Sequence, residues 1–171
     1  NIGSTYKVAD LETKPTKKSP TGPFTTSTLQ QEAARKLYLP VGITMQLAQR
    51  LYEAGLITYM RTDSVNLSKD AMEAAEAQII KSYGKEFSKP RTFVNKSKGA
   101  QEAHEAIRPT DMSRHTVNID RDQARLYDLI WKRTLASQIS DAQLASAHGS
   151  TDAAHLREVL VAAGVAVLVQ G

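Results

Sequence analysis

Residues 44–64 read TMQLAQRLYEAGLITYMRTDS, and the apolar spacing in the first half of this stretch predicts the local fold. Apolar side chains recur there every three to four positions, which places them on one face of a helix. They are Met45, Ala48, Leu51 and Tyr52. We expect this helix to begin at Thr44 and to end at Gly55, because glycine readily adopts the left-handed conformation that terminates helices. A strand is expected at residues 56–60.

A second helix is expected just upstream. The threonines and serine at residues 25–28 offer N-cap side chains, and Leu29, Ala33 and Leu37 form an apolar face. Pro40 ends this helix because proline cannot continue it. Two short helices joined by a turn and followed by a strand resemble a helix-turn-helix with a wing.

The residue pattern in the rest of the chain predicts two longer helices and a few short strands. One helix runs from a Ser68 cap to about residue 83, and another covers about residues 120–139. Short strands are expected at residues 6–11, 92–94, 159–161 and 165–169. The predicted fold class is therefore mainly α with a few strands, in which a helical domain is inserted between strands at the two ends of the chain.

Composition favours a soluble protein with an anionic partner. The 171 residues, of which 41% are hydrophobic, suffice for one ordinary domain with a core. The absence of cysteine excludes disulfides and Cys-based zinc sites. No apolar run is long enough to cross a membrane and no leader opens the chain, so we expect no membrane partner. The net charge of +4 weakly favours anionic partners, and basic residues concentrate between residues 85 and 98.

The second half of the opening stretch places a tyrosine two residues before an arginine. The Tyr59 hydroxyl can serve as a covalent nucleophile, but a phenol with an ordinary pKa of about 10 needs a neighbouring cation or base near neutral pH. On an extended segment Tyr59 and Arg61 point to the same face, where one phosphate can contact both. An isolated tyrosine–arginine pair is more often a half-exposed tyrosine with a solvated neighbour. The remaining sequence therefore has to decide between a catalytic and a structural role for this pair.

A second candidate site lies in residues 99–110, which read GAQEAHEAIRPT. If residues 101–108 are helical, His104 and Arg108 lie one turn apart on the same face. Both residue types contact phosphodiesters. His104 with Glu102 and Glu105 does not form a metalloprotease signature, so no metal site is predicted. Taken alone, His104 also fits a structural role.

Four segments, in this order along the chain, resemble motifs of bacterial type IA DNA topoisomerases of the topoisomerase I branch. Residues 23–33 (PFTTSTLQQEA) and 48–55 (AQRLYEAG) are similar to the segments just upstream of the active-site tyrosine. Residues 55–68 (GLITYMRTDSVNLS) resemble the tyrosine segment itself, and residues 100–109 (AQEAHEAIRP) resemble the downstream histidine motif. The resemblance spans roughly residues 20–142.

The resemblance implies roles for individual residues. Tyr59 would attack a single-strand phosphodiester to give a 5′-phosphotyrosine and a free 3′-hydroxyl, and Arg61 would stabilise charge at the scissile phosphate. His104 would contact a backbone phosphate, and Arg108 would bind DNA likewise. Further DNA-binding candidates are Thr62, Ser64, Gln30, Lys96 and Lys98. Cutting, strand passage and religation would relax negative supercoils.

The resemblance also implies that the chain is part of a larger enzyme. Residues 23–142 would form the tyrosine-bearing domain, of the catabolite-activator-like helix-turn-helix type, inserted in a β-rich arch domain. Residues 1–22 would be an outgoing arch strand and linker, and residues 143–171 the returning arch strands. The acidic, magnesium-binding domain of the family would precede this region. We therefore expect no cofactor in this chain and Mg²⁺ in another domain of the complete enzyme.

The implied partners are single-stranded DNA, negatively supercoiled DNA and the remaining domains of the same enzyme, in the cytoplasm at the nucleoid. Alone, the chain is expected to be an inactive half-site that binds single strands. Two other classes stay open: a non-catalytic winged-helix DNA-binding module and a structural helical adaptor. The module should prefer duplex DNA, the topoisomerase piece single strands, and the adaptor should show no salt-dependent affinity.

Overall fold

The computed structural model describes residues 20–95, 104–140 and 158–159, and this part of the chain is mainly helical. The helices in chain order are α1 (Thr26–Leu37), α2 (Val41–Glu53), α3 (Lys69–Tyr83) and α4 (Arg121–Ser137), with a short 3-10 turn, Lys85–Phe87, after α3. Extended pairing within the described residues is limited to three isolated β-bridges. The mainly helical fold class predicted from the sequence is confirmed at this level.

A side-chain cap begins α1, whereas backbone conformation sets the end of α1 and the start of α2. Thr25 and Thr28 form a reciprocal capping box, in which each hydroxyl accepts a hydrogen bond from the backbone N–H of the other residue. At its other end α1 terminates at Tyr38, a non-glycine residue in the left-handed region with φ 56°. The next helix begins at Val41, three residues before the predicted start, because Pro40 takes the extended conformation of an N-cap.

The two later helices follow the sequence prediction closely. The Ser68 hydroxyl accepts a hydrogen bond from the Ala71 N–H at the start of α3, and the Asp120 carboxylate accepts one from the Gln123 N–H at the start of α4. Gly84, with φ 111°, ends α3 where a residue with a Cβ would be strained. These caps are local, which is why the sequence predicts them.

Helix α4 lies at the centre of the core and packs against α1, α2 and α3. Its Trp131 is only 1% exposed, and the indole N–H donates a 2.9 Å hydrogen bond to the Met112 carbonyl. The largest fully buried side chains come from all four helices and from the segments that flank them: Phe24, Leu29, Leu51, Ile57, Met60, Ile79, Ile107, Leu126, Tyr127, Ile130, Trp131 and Leu135. Several of them belong to the segments that carry the predicted site.

Two predicted elements near the site are wrong. Residues 56–60 do not form a strand, since only Ile57 makes a bridge, and its partner is Pro109, which has no N–H to continue a ladder. Residues 104–108 are not helical. The N–H groups of Ala106 and Ile107 donate instead to the distant carbonyls of Asn66 and Phe24, so they are not free to form helical hydrogen bonds.

The strand predicted at residues 92–94 is also absent. The chain before it is attached to the end of α4: the Arg91 N–H donates to the Gln138 side chain at 3.0 Å, and the Gln138 amide donates back to the Arg91 carbonyl at 3.0 Å. An Arg91 guanidinium N–H also donates to the Ile139 carbonyl at 2.7 Å. Part of the predicted basic loop is therefore a fixed structural segment.

The strands predicted at residues 6–11 and 165–169 lie outside the described residues. Glu158 and Val159 are helical, which differs from the strand predicted to begin at residue 159. The insertion of the helical domain between arch strands, and the boundaries drawn at residues 22 and 143, stay predictions. Among the residues that the structure describes, no helix combines the length and the apolar character needed to span a membrane.

Candidate functional site

Three segments that are distant in sequence meet at the N-terminus of α1. The Ile107 N–H donates to the Phe24 carbonyl at 2.8 Å, and the Thr26 N–H donates to the Thr62 carbonyl at 2.9 Å. The Thr58 N–H donates to the Arg108 carbonyl at 2.9 Å. Three of the four motifs singled out in the sequence therefore form one hydrogen-bonded cluster around residues 57–62.

Thr58 fixes the backbone immediately before Tyr59. Its hydroxyl donates to the Ala106 carbonyl at 2.7 Å and accepts from the Arg108 N–H at 2.9 Å. On the other side of Tyr59, Met60 is completely buried. The Tyr59 side chain itself is 49% exposed, so an accessible phenol projects from a backbone that is anchored on both sides.

Arg61 is held from the first turn of α1. The Thr26 hydroxyl donates to the Met60 carbonyl at 2.7 Å and accepts from the Thr62 N–H at 2.9 Å. These two hydrogen bonds bracket Arg61, whose side chain is exposed. Tyr59 and Arg61 are thus exposed, and Met60 between them is buried. Both chemically active side chains, Tyr59 and Arg61, are accessible to a ligand.

The Tyr52 ring contacts the Tyr59 ring, and the sequence does not predict this contact. The two ring centroids lie 5.2 Å apart with an interplanar angle of 64°, an edge-to-face contact. The periodicity predicts Tyr52 on the buried face of α2, but the side chain is 41% exposed. It belongs to the last turn of the helix, next to the candidate site.

His104 and Arg108 have different surroundings. His104 is exposed. The Arg108 guanidinium instead forms a bidentate ion pair with Glu105, in which Nη2 lies 3.2 Å from Oε1 and Nε contacts Oε2. Nη1 donates to the Pro109 carbonyl at 3.0 Å. Burial raises the pKa of Glu105, but the hydrogen bond and charge of Arg108, together with hydrogen bonds from Ser68, outweigh it, so that pKa lies below its ordinary value.

The other DNA-binding candidates are not all brought to the surface. The Thr62 hydroxyl accepts from the Ser64 N–H at 3.1 Å, and the Ser64 hydroxyl accepts from the Asn66 N–H at 3.1 Å. Ser64 is only 1% exposed, so both side chains shape the turn after Arg61. Gln30 is partly buried on α1. Lys96 and Lys98 lie outside the described residues.

The described residues do not fit a metal ion. They contain no group of three or more His, Asp and Glu side chains that could hold one. The Mg²⁺ that the sequence resemblance implies is expected in another domain of the complete enzyme.

Comparison with known proteins identifies the family to which this chain belongs. The family model of DNA topoisomerases matches residues 1–171, so the chain belongs to the DNA topoisomerase family. DNA topoisomerase 1 of Zymomonas mobilis is 56% identical over 141 residues, which are 81% of this chain and 12% of that protein. DNA topoisomerase 1 of Synechococcus elongatus is 54% identical over 143 residues, 81% of this chain and 16% of that protein.

A solved structure agrees with the sequence relatives. The full-length topoisomerase I of Thermotoga maritima is similar with a TM-score of 0.61 and 44% sequence identity, over 71% of this chain and 21% of that chain. The chain spans only 12% and 16% of the length of the two curated relatives.

Proposed function

We propose that this chain is the nucleophile-bearing part of a type IA DNA topoisomerase, an isomerase that cuts one DNA strand, passes a strand and religates, relaxing negative supercoils. One observation carries the proposal: the Tyr59 phenol is 49% exposed, while Thr58 and Met60 on either side of it are anchored. A nucleophile must be reachable and yet held in one orientation, because orientation supplies much of the rate.

In the proposed cleavage step the Tyr59 oxygen forms a bond to phosphorus and loses its proton. The bond from phosphorus to the 3′ oxygen of the adjacent nucleotide breaks, and that oxygen takes up a proton to become a 3′-hydroxyl. The downstream DNA is left attached to Tyr59 through its 5′-phosphate. Because one phosphoester bond replaces another, the reverse step religates the strand without an external energy source.

Arg61 and His104 are proposed to act on the phosphates of the bound strand. Arg61 lies two residues from the nucleophile, and its planar guanidinium suits the charge that develops on the non-bridging phosphate oxygens. His104 is exposed on the segment whose backbone Thr58 holds, where it is proposed to contact a backbone phosphate. Both side chains contribute by positioning and charge stabilisation, which dominate phosphoryl transfer.

Arg108 is also proposed to contact DNA, with a smaller contribution to DNA affinity. Its guanidinium is shared between Glu105 and the Pro109 carbonyl. A phosphate must therefore compete with or join an existing ion pair. We expect Arg108 to add less to DNA affinity than Arg61, and to act mainly by keeping the segment around His104 in place.

The proposed partners are single-stranded DNA, negatively supercoiled DNA and the remaining domains of the same enzyme, at the nucleoid in the cytoplasm. Those domains are proposed to supply Mg²⁺. By itself the chain is proposed to be an inactive half-site. The alternative, a non-catalytic winged-helix DNA-binding module, is favoured by one observation: α1 and α2 are joined by the short turn 38–40, as in a helix-turn-helix.

Binding of matched single-stranded and duplex oligonucleotides over a series of salt concentrations separates these functions. The topoisomerase proposal predicts tighter binding of the single strand, with an affinity that falls linearly in log–log form as salt rises. A clear preference for duplex would favour the winged-helix module. An affinity that does not depend on salt would contradict both and favour a structural adaptor.

A further inference from the structure

The nucleophile ring has an aromatic neighbour on a separate element. Tyr52 lies on the last turn of α2, and its ring meets the Tyr59 ring edge to face at a centroid distance of 5.2 Å. Both rings are partly open to solvent, with 41% of Tyr52 and 49% of Tyr59 exposed. The contact therefore covers one side of the Tyr59 ring and leaves the remainder accessible.

The backbone of Tyr52 is rigidly connected to the segment that leads into Tyr59. The Gly55 N–H donates to the Tyr52 carbonyl at 2.9 Å, and the Leu56 N–H donates to the Leu51 carbonyl at 2.9 Å. Gly55 has φ 72°, which lets the chain reverse immediately after the helix. Leu51 is completely buried, so the turn that carries Tyr52 is fixed to the core.

An exposed tyrosine without a neighbour samples several side-chain rotamers, and only some of them direct the hydroxyl to a given phosphate. We propose that Tyr52 is a positioning residue that restricts the Tyr59 ring through the edge-to-face contact and so directs its hydroxyl to the scissile phosphate. This inference rests on the proposed function of Tyr59 as the nucleophile. The contact needs the ring of Tyr52 and does not need its hydroxyl.

The test uses the complete enzyme with Tyr52→Ala, Tyr52→Phe and the matched control Tyr38→Ala, which removes an 86% exposed tyrosine from the turn between α1 and α2. The measurements are the single-turnover rate of cleavage of an end-labelled single-stranded oligonucleotide at saturating enzyme, and the affinity for the same oligonucleotide. Tyr52→Ala should slow cleavage about tenfold, with affinity within about twofold of the wild type. Tyr52→Phe and Tyr38→Ala should cleave at the wild-type rate. Wild-type cleavage by Tyr52→Ala, or an equal loss in Tyr52→Phe, would overturn the inference.

A second readout reports the ring contact directly and does not depend on activity. Fluorotyrosine incorporated at position 59 should show a fluorine resonance that shifts and narrows in Tyr52→Ala, because the ring current is lost and the ring reorients faster, and that stays unchanged in Tyr52→Phe. An identical resonance in both variants would overturn the inference. Tyr59→Phe serves as the parallel control for the proposed function: cleavage by that variant would reject the nucleophile itself, whereas wild-type cleavage by Tyr52→Ala alone would reject only the positioning role.

Discussion

The hydroxyl of Thr26 donates a 2.7 Å hydrogen bond to the carbonyl of Met60, across 34 positions of sequence. The same hydroxyl accepts from the Thr62 N–H at 2.9 Å, so one side chain of α1 holds the peptide units on both sides of Arg61. The first turn of α1 therefore belongs to the candidate site as much as the tyrosine segment does. This arrangement explains why the segment upstream of the tyrosine forms part of the same hydrogen-bonded cluster.

Removing the Thr26 hydroxyl should loosen Arg61. Thr26→Val keeps the shape but leaves the Met60 carbonyl and the Thr62 N–H without this partner, so we expect a stability loss of about 1–3 kcal/mol. Cleavage in the complete enzyme should slow, and Thr26→Ser should restore it because the hydroxyl returns. Thermal unfolding and single-turnover cleavage measure the two effects. The control is Ser27→Ala, because Ser27 is the neighbouring residue and is exposed. A Thr26→Val enzyme with unchanged cleavage would argue against this coupling.

Substitution of Arg61 should affect chemistry more than binding. Arg61→Ala removes a charge proposed to act on the scissile phosphate, and we expect cleavage to slow by about 10² to 10³-fold. Arg61→Lys should recover only part of this loss, since an ammonium cannot reproduce the planar fork of a guanidinium. Single-turnover cleavage at saturating DNA is the measurement, with the exposed Lys69→Ala as the control for loss of one positive charge. Equal cleavage by Arg61→Ala and Lys69→Ala would exclude the proposed role.

The contact between His115, in the loop before α4, and Asp128 on α4 should make the stability of the fold depend on pH. His115 stacks on Trp131 with ring centroids 3.8 Å apart, and its Nε2 lies 2.9 Å from the carboxylate of Asp128, which Lys132 also contacts at 3.0 Å. Burial raises the pKa of Asp128, but the hydrogen bonds and charges of His115 and Lys132 outweigh it, so the pKa lies below its ordinary value.

A carboxyl group with a lowered pKa stabilises the fold above its unfolded pKa of about 3.9, and this stability is lost as the pH falls through the folded value. Asp128→Asn should therefore be less stable than the wild type at pH 7, and the difference should disappear in acid. Because the Asp128 side chain is 41% exposed, we expect less than about 1 kcal/mol. Denaturant unfolding at several pH values measures the difference, and a difference that stays constant into acid would contradict the assignment.

Features of the fold that depend on local chemistry could be predicted from the sequence. Ser68 and Asp120 cap their own helices, and Gly84 ends α3 by its own backbone freedom. Residues 56–60 and 104–108 could not be predicted, because their hydrogen-bond partners are distant. Thr58 and Arg108 are 50 positions apart, and their contact outweighs the local preference of both segments.

The same distinction holds for the candidate site. Tyr59 and Arg61 could be singled out because their chemistry and spacing are visible in the sequence. Thr26 and Tyr52 could not, since a threonine at a helix start is typical of a cap and an aromatic residue in helical register is typical of a core. Tyr52 is exposed because it lies on the final turn of α2, at the edge of the buried face that ends with Leu51.

The proposed mechanism depends on Tyr59 forming the covalent bond to DNA. The most direct test mixes the complete enzyme with an end-labelled single-stranded oligonucleotide and magnesium, denatures the mixture, and maps the attachment site by mass spectrometry of the digested adduct. We expect a DNA 5′-phosphate linked to Tyr59, and no adduct in Tyr59→Phe although that variant still binds the oligonucleotide. An adduct on another residue, or one that persists in Tyr59→Phe, would contradict it.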